Sequence, residues 1–316
     1  MRRTAAAVMA LAVLTFTSAQ AETVPTLENT GCPGEILTAD GTPVPFANLL
    51  TRIKTDGGAL IGERHGVRGH PQTLGCLVQH LAQPTPPTVV LEMLTADQQV
   101  ALDSYRHAHP ELIDGLGAAL TWWTTGWPVW PIYQPLFETS WHVRAPILAG
   151  DMAKATPTAS ADALTTTFGT DALTVHASWT VAMKIAHCNL IPDATASDLA
   201  SRQSTRDIAM TQAVTTARQA GRITLLYAGR AHIWNNRSVG FLMRRGAVNP
   251  VRPLPSVALF ETATAGVPTD RTKVLTEARG RYDYVWFVGT ADRPDACERL
   301  RVKGLIPTAG VAGGKP

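Results

Sequence analysis

Two stretches of the sequence place a glycine, two further residues and a histidine directly after an apolar run. Gly62 and His65 follow the run at residues 59–61, and Gly229 and His232 follow the run at residues 223–228. Each run is typical of a buried strand, and in open α/β sheets ligand-binding residues gather just beyond the carboxyl ends of the strands. We therefore expect His65 and His232 to face one crevice.

Two carboxylates accompany these histidines. Glu63 lies within the first stretch, and Glu92 directly follows the β-branched run at residues 88–91. Two imidazoles and two carboxylates can hold a divalent metal such as Mn, Co or Zn with an open position. Such a metal would lower the pKa of a bound water, so that Glu92 and the histidines could hydrolyse a peptide or an ester. The alternative is that the glycines only end the strands and the polar residues cap the following helices.

An aromatic segment at residues 121–133 indicates a different chemistry. It holds four of the eight tryptophans, among them Trp130, and it ends at Tyr133. Tryptophan rings can stack on a flat macrocycle or fill a core, and a tyrosine can bind haem iron. Arg64 and Arg230 could meet the carboxylates of such a ligand, or they could be solvated surface residues. His70 is either a further ligand or a surface residue.

The order of apolar runs predicts the fold. Strand-like and helix-like segments alternate up to about residue 232, with an alanine-rich helical insertion over residues 172–220. We predict an α/β fold with a mainly parallel sheet flanked by helices, and C-terminal strands that join one edge of the sheet. The chain is expected to form a single domain over residues 22–308, including the strands at 255–290, followed by a frayed tail at 309–316.

The first 21 residues have the pattern of a cleavable signal peptide. Arg2 and Arg3 precede an apolar run at residues 5–16, and the small residues Ala19-Gln20-Ala21 suit signal peptidase. We expect a periplasmic or secreted protein with no stable membrane anchor. Cleavage would remove two arginines and lower the formal net charge from +3 to +1. This small excess of positive charge does not indicate nucleic acid as a partner.

The four cysteines predict two disulfides in an exported protein. Three pairings are possible for Cys32, Cys76, Cys188 and Cys297. We favour Cys32 with Cys297, which would join the two ends of the domain, and Cys76 with Cys188, which would join the first sheet-flanking helix to the helical insertion.

Several motifs together resemble the ChaN-like haem-binding proteins, which belong with the Tiki proteases and, more distantly, the erythromycin esterases. They lie in family order between Phe46 and Val248: IGERHGVRGHPQTL, LEM at Leu91 to Met93, GWPVWPIYQPLFETSW, the pair His187-Cys188, RDIAM from Arg206 and YAGRAH up to His232. One departure is Arg230-Ala231, where family members commonly have an asparagine-rich approach to the second histidine.

The resemblance implies an exported protein that binds haem and takes part in iron uptake, with haem as a small-molecule ligand held, in one arrangement, across a homodimer. The Tiki relatives imply a metal-dependent peptidase instead, and the esterases imply a histidine and glutamate base system. The family's site residues fall on His65, Glu92 and His232. Two hypotheses therefore stand, a haem-binding protein and a metal-dependent hydrolase.

Overall fold

The computed structural model describes residues 31–246 and 252–292, together with Cys297, Leu300, Arg301 and Lys303. The predicted signal peptide at 1–21 and the predicted tail at 309–316 lie outside the described residues, and the boundaries of the predicted domain remain a prediction. No helix within the described residues is long and apolar enough to cross a membrane.

The described strands form a seven-stranded sheet and a small three-stranded sheet. The large sheet has the order β1-β9-β6-β2-β5-β3-β4, and all its neighbouring strands are parallel except the β1–β9 pair. Its strands are β1 (Glu35–Thr38), β2 (Gly58–Glu63), β3 (Thr88–Thr95), β4 (Ile147–Asp151), β5 (Thr224–Gly229), β6 (Ser256–Phe260) and β9 (Tyr284–Phe287). The small sheet contains β7 (Ala263–Thr264), β8 (Val267–Pro268) and β10 (Thr290–Ala291).

Helices flank the large sheet. They are α1 (Phe46–Asp56), α2 (Gly69–His80), α3 (Ala96–Ala108), α4 (Leu116–Ala119), α5 (Trp130–His142), α6 (Ala161–Phe168), α7 (Ala172–Ala186), α8 (Asp193–Gln219), α9 (Val239–Arg245) and α10 (Arg271–Ala278). Thr95 and Gln98 form a capping box at the start of α3, which satisfies backbone N–H groups that the first helical turn leaves unpaired.

The strands are buried on both faces because alternate side chains enter two different core layers. Ile61, Leu91 and Tyr227 pack on the side that holds α1, α2 and α5, whereas Leu60 and Leu226 pack on the side that holds α8 and α10. Parallel strands covered on both faces have continuous apolar runs, and this explains why the sequence pattern predicted them. A third apolar cluster joins α6, α7 and α8, the predicted helical insertion.

The predicted fold class is confirmed, and two details differ. β6 and β9 join one side of the sheet as expected, but the edge itself is β1, which pairs antiparallel with β9. No strand was predicted before α1, because β1 has only four residues and too short an apolar pattern. The small second sheet was also not predicted.

All four cysteines form disulfides, as predicted, but the favoured pairing is wrong. Cys32 is bonded to Cys76, and Cys188 to Cys297. The reason is packing: Cys32 lies in the core layer that contacts α2, the helix of Cys76, whereas Cys188 lies two residues beyond the end of α7 in the insertion. Chain position alone does not indicate which of these layers a cysteine enters.

Each disulfide is expected to stabilise the fold. Closing loops with sequence separations of 44 and 109 residues restricts the unfolded chain. Replacing Cys32 and Cys76 together by serine should lower the free energy of unfolding by about 2–4 kcal/mol. Urea unfolding under non-reducing conditions measures this difference. Equal stability of the wild-type and the double variant would show that the cross-link does not stabilise the native state.

Candidate functional site at the carboxyl ends of β2, β5 and β3

The carboxyl ends of three adjacent strands form one wall of a cavity. β5 lies between β2 and β3, with Glu63 opposite Gly229 and Leu91 opposite Tyr227. The cavity has a volume of about 550 Å³, within the ordinary size range of small-molecule sites. The predicted residues that line it are Glu63, Arg64, His65, Glu92, Arg230 and His232. The structure therefore brings both histidines and both carboxylates to one place.

The glycines of the two repeated motifs allow the two strand ends to approach each other. A Cβ atom on Gly62 would lie 2.6 Å from Ile233 Cδ1 and 2.9 Å from the Cα atom of Arg230. A Cβ atom on Gly229 would lie 2.8 Å from His65 Nε2. Each glycine thus makes room for the turn that carries the other histidine, and this explains why the same motif follows both strands.

Glu63 orients the ring of His65 through a hydrogen bond. Its Oε1 accepts hydrogen bonds from His65 Nδ1 at 2.7 Å and from the Tyr133 hydroxyl at 2.6 Å, and Oε2 accepts one from Tyr227 at 2.5 Å. Burial and the neighbouring Glu63 raise the pKa of both tyrosines, so both remain protonated donors. Both oxygens of Glu63 are therefore bound to other residues of the protein. The side chain of His65, which Glu63 orients, is one-third exposed and lines the cavity.

Glu92 is the buried anion at the centre of the site. It lies where β3 shifts register against β4, an irregularity that can redirect a side chain. Its Oε1 is 2.8 Å from Arg206 and 3.3 Å from His232 Nε2, and its Oε2 accepts the Gly229 N–H at 2.6 Å. Burial opposes ionisation of Glu92, but His232 and Arg206 outweigh it and lower the pKa of Glu92 to about 2. Glu92 is ionised at neutral pH.

The two histidines have the same arrangement around Glu92. His65 Nε2 lies 3.6 Å from Glu92 Oε2, while its Nδ1 is bound by Glu63. His232 turns Nε2 to the other oxygen, and its Nδ1 is bound at 2.7 Å by the buried Asp207. Burial lowers the pKa of His65, but Glu92 and the bond to Glu63 outweigh burial and raise it. A carboxylate behind a histidine fixes its ring orientation and makes the remaining nitrogen more basic.

Two residues expected at the ligand do not line the cavity. Tyr133 is fully buried with its hydroxyl bound to Glu63, and its raised pKa opposes the tyrosinate form that iron binds. Trp130 packs against Phe137 in the core. Trp127 lines the cavity in their place, with its ring centroid 4.9 Å from that of His65. His70 is also buried outside the cavity and accepts a hydrogen bond from the Arg64 N–H.

Several residues at the site were not predicted from the sequence. Arg206 and Asp207 come from α8, and Asp151 from the end of β4 pairs with Arg206 at 2.9 Å. Trp179 of α7 donates from Nε1 to Asp207 and lies against the ring of His232. The sequence did contain a signal for Asp151, since it is another acid that ends an apolar run after a glycine.

This arrangement can hold a ligand atom at an imidazole or exchange a proton between His65, Glu92 and His232. It is less suited to a closed metal cage. Within the described residues, Cys32, Cys76 and His80 form a group of potential metal ligands whose donor atoms all lie within 4.8 Å of one another. This group lies outside the cavity, and its two sulfur atoms are joined in a disulfide. Arg206 also occupies the Glu92 oxygen that faces His232.

The structure is an α/β fold with a cavity at the carboxyl ends of its central strands. A family model described as "Haem-binding uptake, Tiki superfamily, ChaN" matches residues 49–240, and the chain belongs to this family. The resemblance found in the sequence is thereby confirmed. No curated protein sequence matches this chain significantly.

Solved structures include a similar fold. The structure described as "Cofacial heme binding to ChaN of Campylobacter jejuni" has 16% sequence identity and a TM-score of 0.60, and the match covers 81% of this chain and 96% of that one. At this identity the likeness establishes the fold alone. A mutant erythromycin esterase in its open conformation matches at 13% identity over 82% of each chain, with a TM-score of 0.36 that is too low to support an argument.

Proposed function

We propose that this protein binds haem, or a related iron-bearing macrocycle, in the cavity at the carboxyl ends of β2, β5 and β3, and that it takes part in haem or iron uptake. The observation that carries the proposal is an anchored, partly exposed imidazole, His65, beside a tryptophan ring in an arginine-lined cavity. Membership of a haem-binding uptake family supports it, as does the similar fold of ChaN, a protein described as binding haem cofacially.

The residues present fit such a ligand. Trp127 and Phe260 of the lining are only partly buried and offer aromatic surface to a flat ring, and the arginines of the lining offer positive charge to carboxylates. His65 is the proposed iron ligand, because Glu63 holds Nδ1 and leaves Nε2 for a metal. This assignment replaces Tyr133, whose hydroxyl is bound to the same glutamate.

We predict that haemin titration gives a Soret shift that saturates at a fixed ratio of haem to protein. His65→Gln should remove the shifted spectrum, because an amide does not replace imidazole as an iron ligand. The matched control is His107→Gln, an exposed histidine on α3, which should leave the spectrum unchanged. If Tyr133→Phe removed the shift and His65→Gln retained it, the iron ligand would be Tyr133. Binding that never saturates would exclude a specific site.

A metal-dependent peptidase or esterase is the second candidate, and the carboxylate-anchored pair of histidines favours it. His65, Glu92 and His232 would hold a divalent ion such as Mn, Co or Zn, which would lower the pKa of a bound water. Stoichiometric metal in purified protein, with chelator-sensitive and His65-dependent hydrolysis, would support this candidate. The absence of both from protein that binds haemin stoichiometrically would reject it.

We also propose that the protein works in the periplasm or is secreted. Its two disulfides support this proposal, since disulfides form and persist in oxidising compartments. Amino-terminal sequencing of protein purified from its native compartment tests the proposal, and the expected first residue is Glu22. Light scattering with and without haemin tests the homodimer that the family resemblance implies.

A further inference from the structure

Four arginines line the cavity, and three of them have an acidic partner within the part of the chain that the structure describes. They are Arg64, Arg206, Arg230 and Arg281. Glu92 and Asp151 pair with Arg206, and Glu261 lies 3.4 Å from Arg64 and 3.8 Å from Arg230. Within the described residues, no carboxylate pairs with Arg281 and no side-chain hydrogen bond satisfies its guanidinium. Arg281 is thus the cation in this lining that is not already bound to a protein anion.

Arg281 is nevertheless held in place. Its guanidinium carbon lies 4.2 Å from the ring centroid of Trp234, and its carbonyl oxygen accepts the Asn235 N–H at 2.8 Å. Trp234 is fixed in turn, because its Nε1 donates to the Tyr282 hydroxyl at 2.6 Å and the Arg237 guanidinium lies 3.6 Å from its ring. A guanidinium held against an aromatic face still offers its N–H edge to a partner in the cavity.

We propose that Arg281 selects ligands that carry a carboxylate, by binding one carboxylate of a haem-type macrocycle at the cavity. The planar guanidinium can donate two parallel, charge-assisted hydrogen bonds to a carboxylate. An ester group is uncharged and cannot form this charge-assisted pair. The inference rests on the proposed function and names the ligand group that the site recognises.

The test uses a ligand pair that differs only in this group. Iron-free protoporphyrin IX and its dimethyl ester are titrated into the full-length protein, and binding is followed by quenching of tryptophan fluorescence. We expect the wild-type protein to bind the free acid about tenfold more tightly than the diester, the usual effect of one charge-assisted pair at a partly exposed site. Arg281→Gln should remove this preference and leave diester affinity unchanged.

Arg279→Gln is the matched control, since Arg279 is an exposed arginine two residues away that lines a different cavity. It should keep the tenfold preference. Equal affinity of the wild-type protein for the two porphyrins would overturn the inference, as would a preference that survives in Arg281→Gln. Circular dichroism of both variants checks that the fold is retained.

Iron-free probes separate this inference from the proposed function. An Arg281-dependent preference for the free acid, found together with a haemin spectrum that lacks iron coordination by the protein, would support the inference and reject haem-iron binding at His65. A haemin spectrum that depends on His65, found without an Arg281-dependent preference for the free acid, would support haem-iron binding at His65 and reject the inference.

Discussion

Replacing Glu92 by glutamine is expected to lower the free energy of unfolding by about 3–5 kcal/mol at neutral pH, because the change removes the buried anion that Arg206 and His232 share. Glu92 is 1% exposed and is the carboxylate shared by Arg206 and His232. Urea unfolding followed by tryptophan fluorescence measures the difference. The control is Glu138→Gln, an exposed acid on α5, which should change the stability by less than about 0.5 kcal/mol.

The dependence of this effect on pH provides a second measurement. The pKa of Glu92 is about 2 in the fold, compared with 4.5 for an unperturbed glutamate. A depressed carboxyl pKa contributes stability that is fully present above the unfolded value and is lost as the pH falls through the folded value. The stability gap between wild-type and variant should therefore shrink between pH 4.5 and about 2. A gap that stays constant over this window would contradict the assignment.

Replacing Trp122 by alanine should cost about 3–5 kcal/mol of stability and leave ligand affinity nearly unchanged. Trp122 is 1% exposed and packs against Trp130 and Tyr133 in the core. Trp127→Ala should instead weaken ligand binding and change the stability little, because Trp127 lines the cavity beside His65 and is only partly buried. It should weaken haemin binding about tenfold, a loss typical of removing one aromatic contact.

Trp123 completes this comparison as the control. Its side chain is 69% exposed, so Trp123→Ala should change neither stability nor affinity appreciably. Chemical unfolding and haemin titration of the three variants give the two measurements. If Trp122→Ala weakened haemin binding as strongly as Trp127→Ala does, both tryptophans would contribute to ligand binding, and the assignment of Trp122 to the core alone would be wrong.

The strand ends of the site could be predicted from the sequence because a polar residue directly follows an apolar run at each of them. Parallel strands bring their carboxyl ends to the same edge, so residues far apart in the chain, such as His65, Glu92 and His232, could be placed together without a structure. The sequence pattern also indicated the helical insertion. These predictions depended only on periodicity and on the direction of parallel strands.

The residues contributed by helices could not be predicted in the same way. Arg206 and Asp207 are adjacent in α8, and the sequence does not tell which polar residues of a long helix face a buried partner. Similarly, Trp130 and Tyr133 lie three residues apart on one face of α5, and that face turns to the core. Trp127 precedes the helix and lines the cavity instead, so membership of the aromatic segment did not indicate which residue faces the cavity.

The antiparallel strand β1 has a consequence for the order of folding during synthesis. Its partner β9 begins at Tyr284, near the opposite end of the described chain, whereas Cys76, the disulfide partner of the preceding Cys32, is made much earlier. β1 therefore remains without its partner until β9 has been added to the chain. Until then one edge of the central sheet has unpaired backbone groups, so a chain stopped before residue 284 should be prone to aggregation.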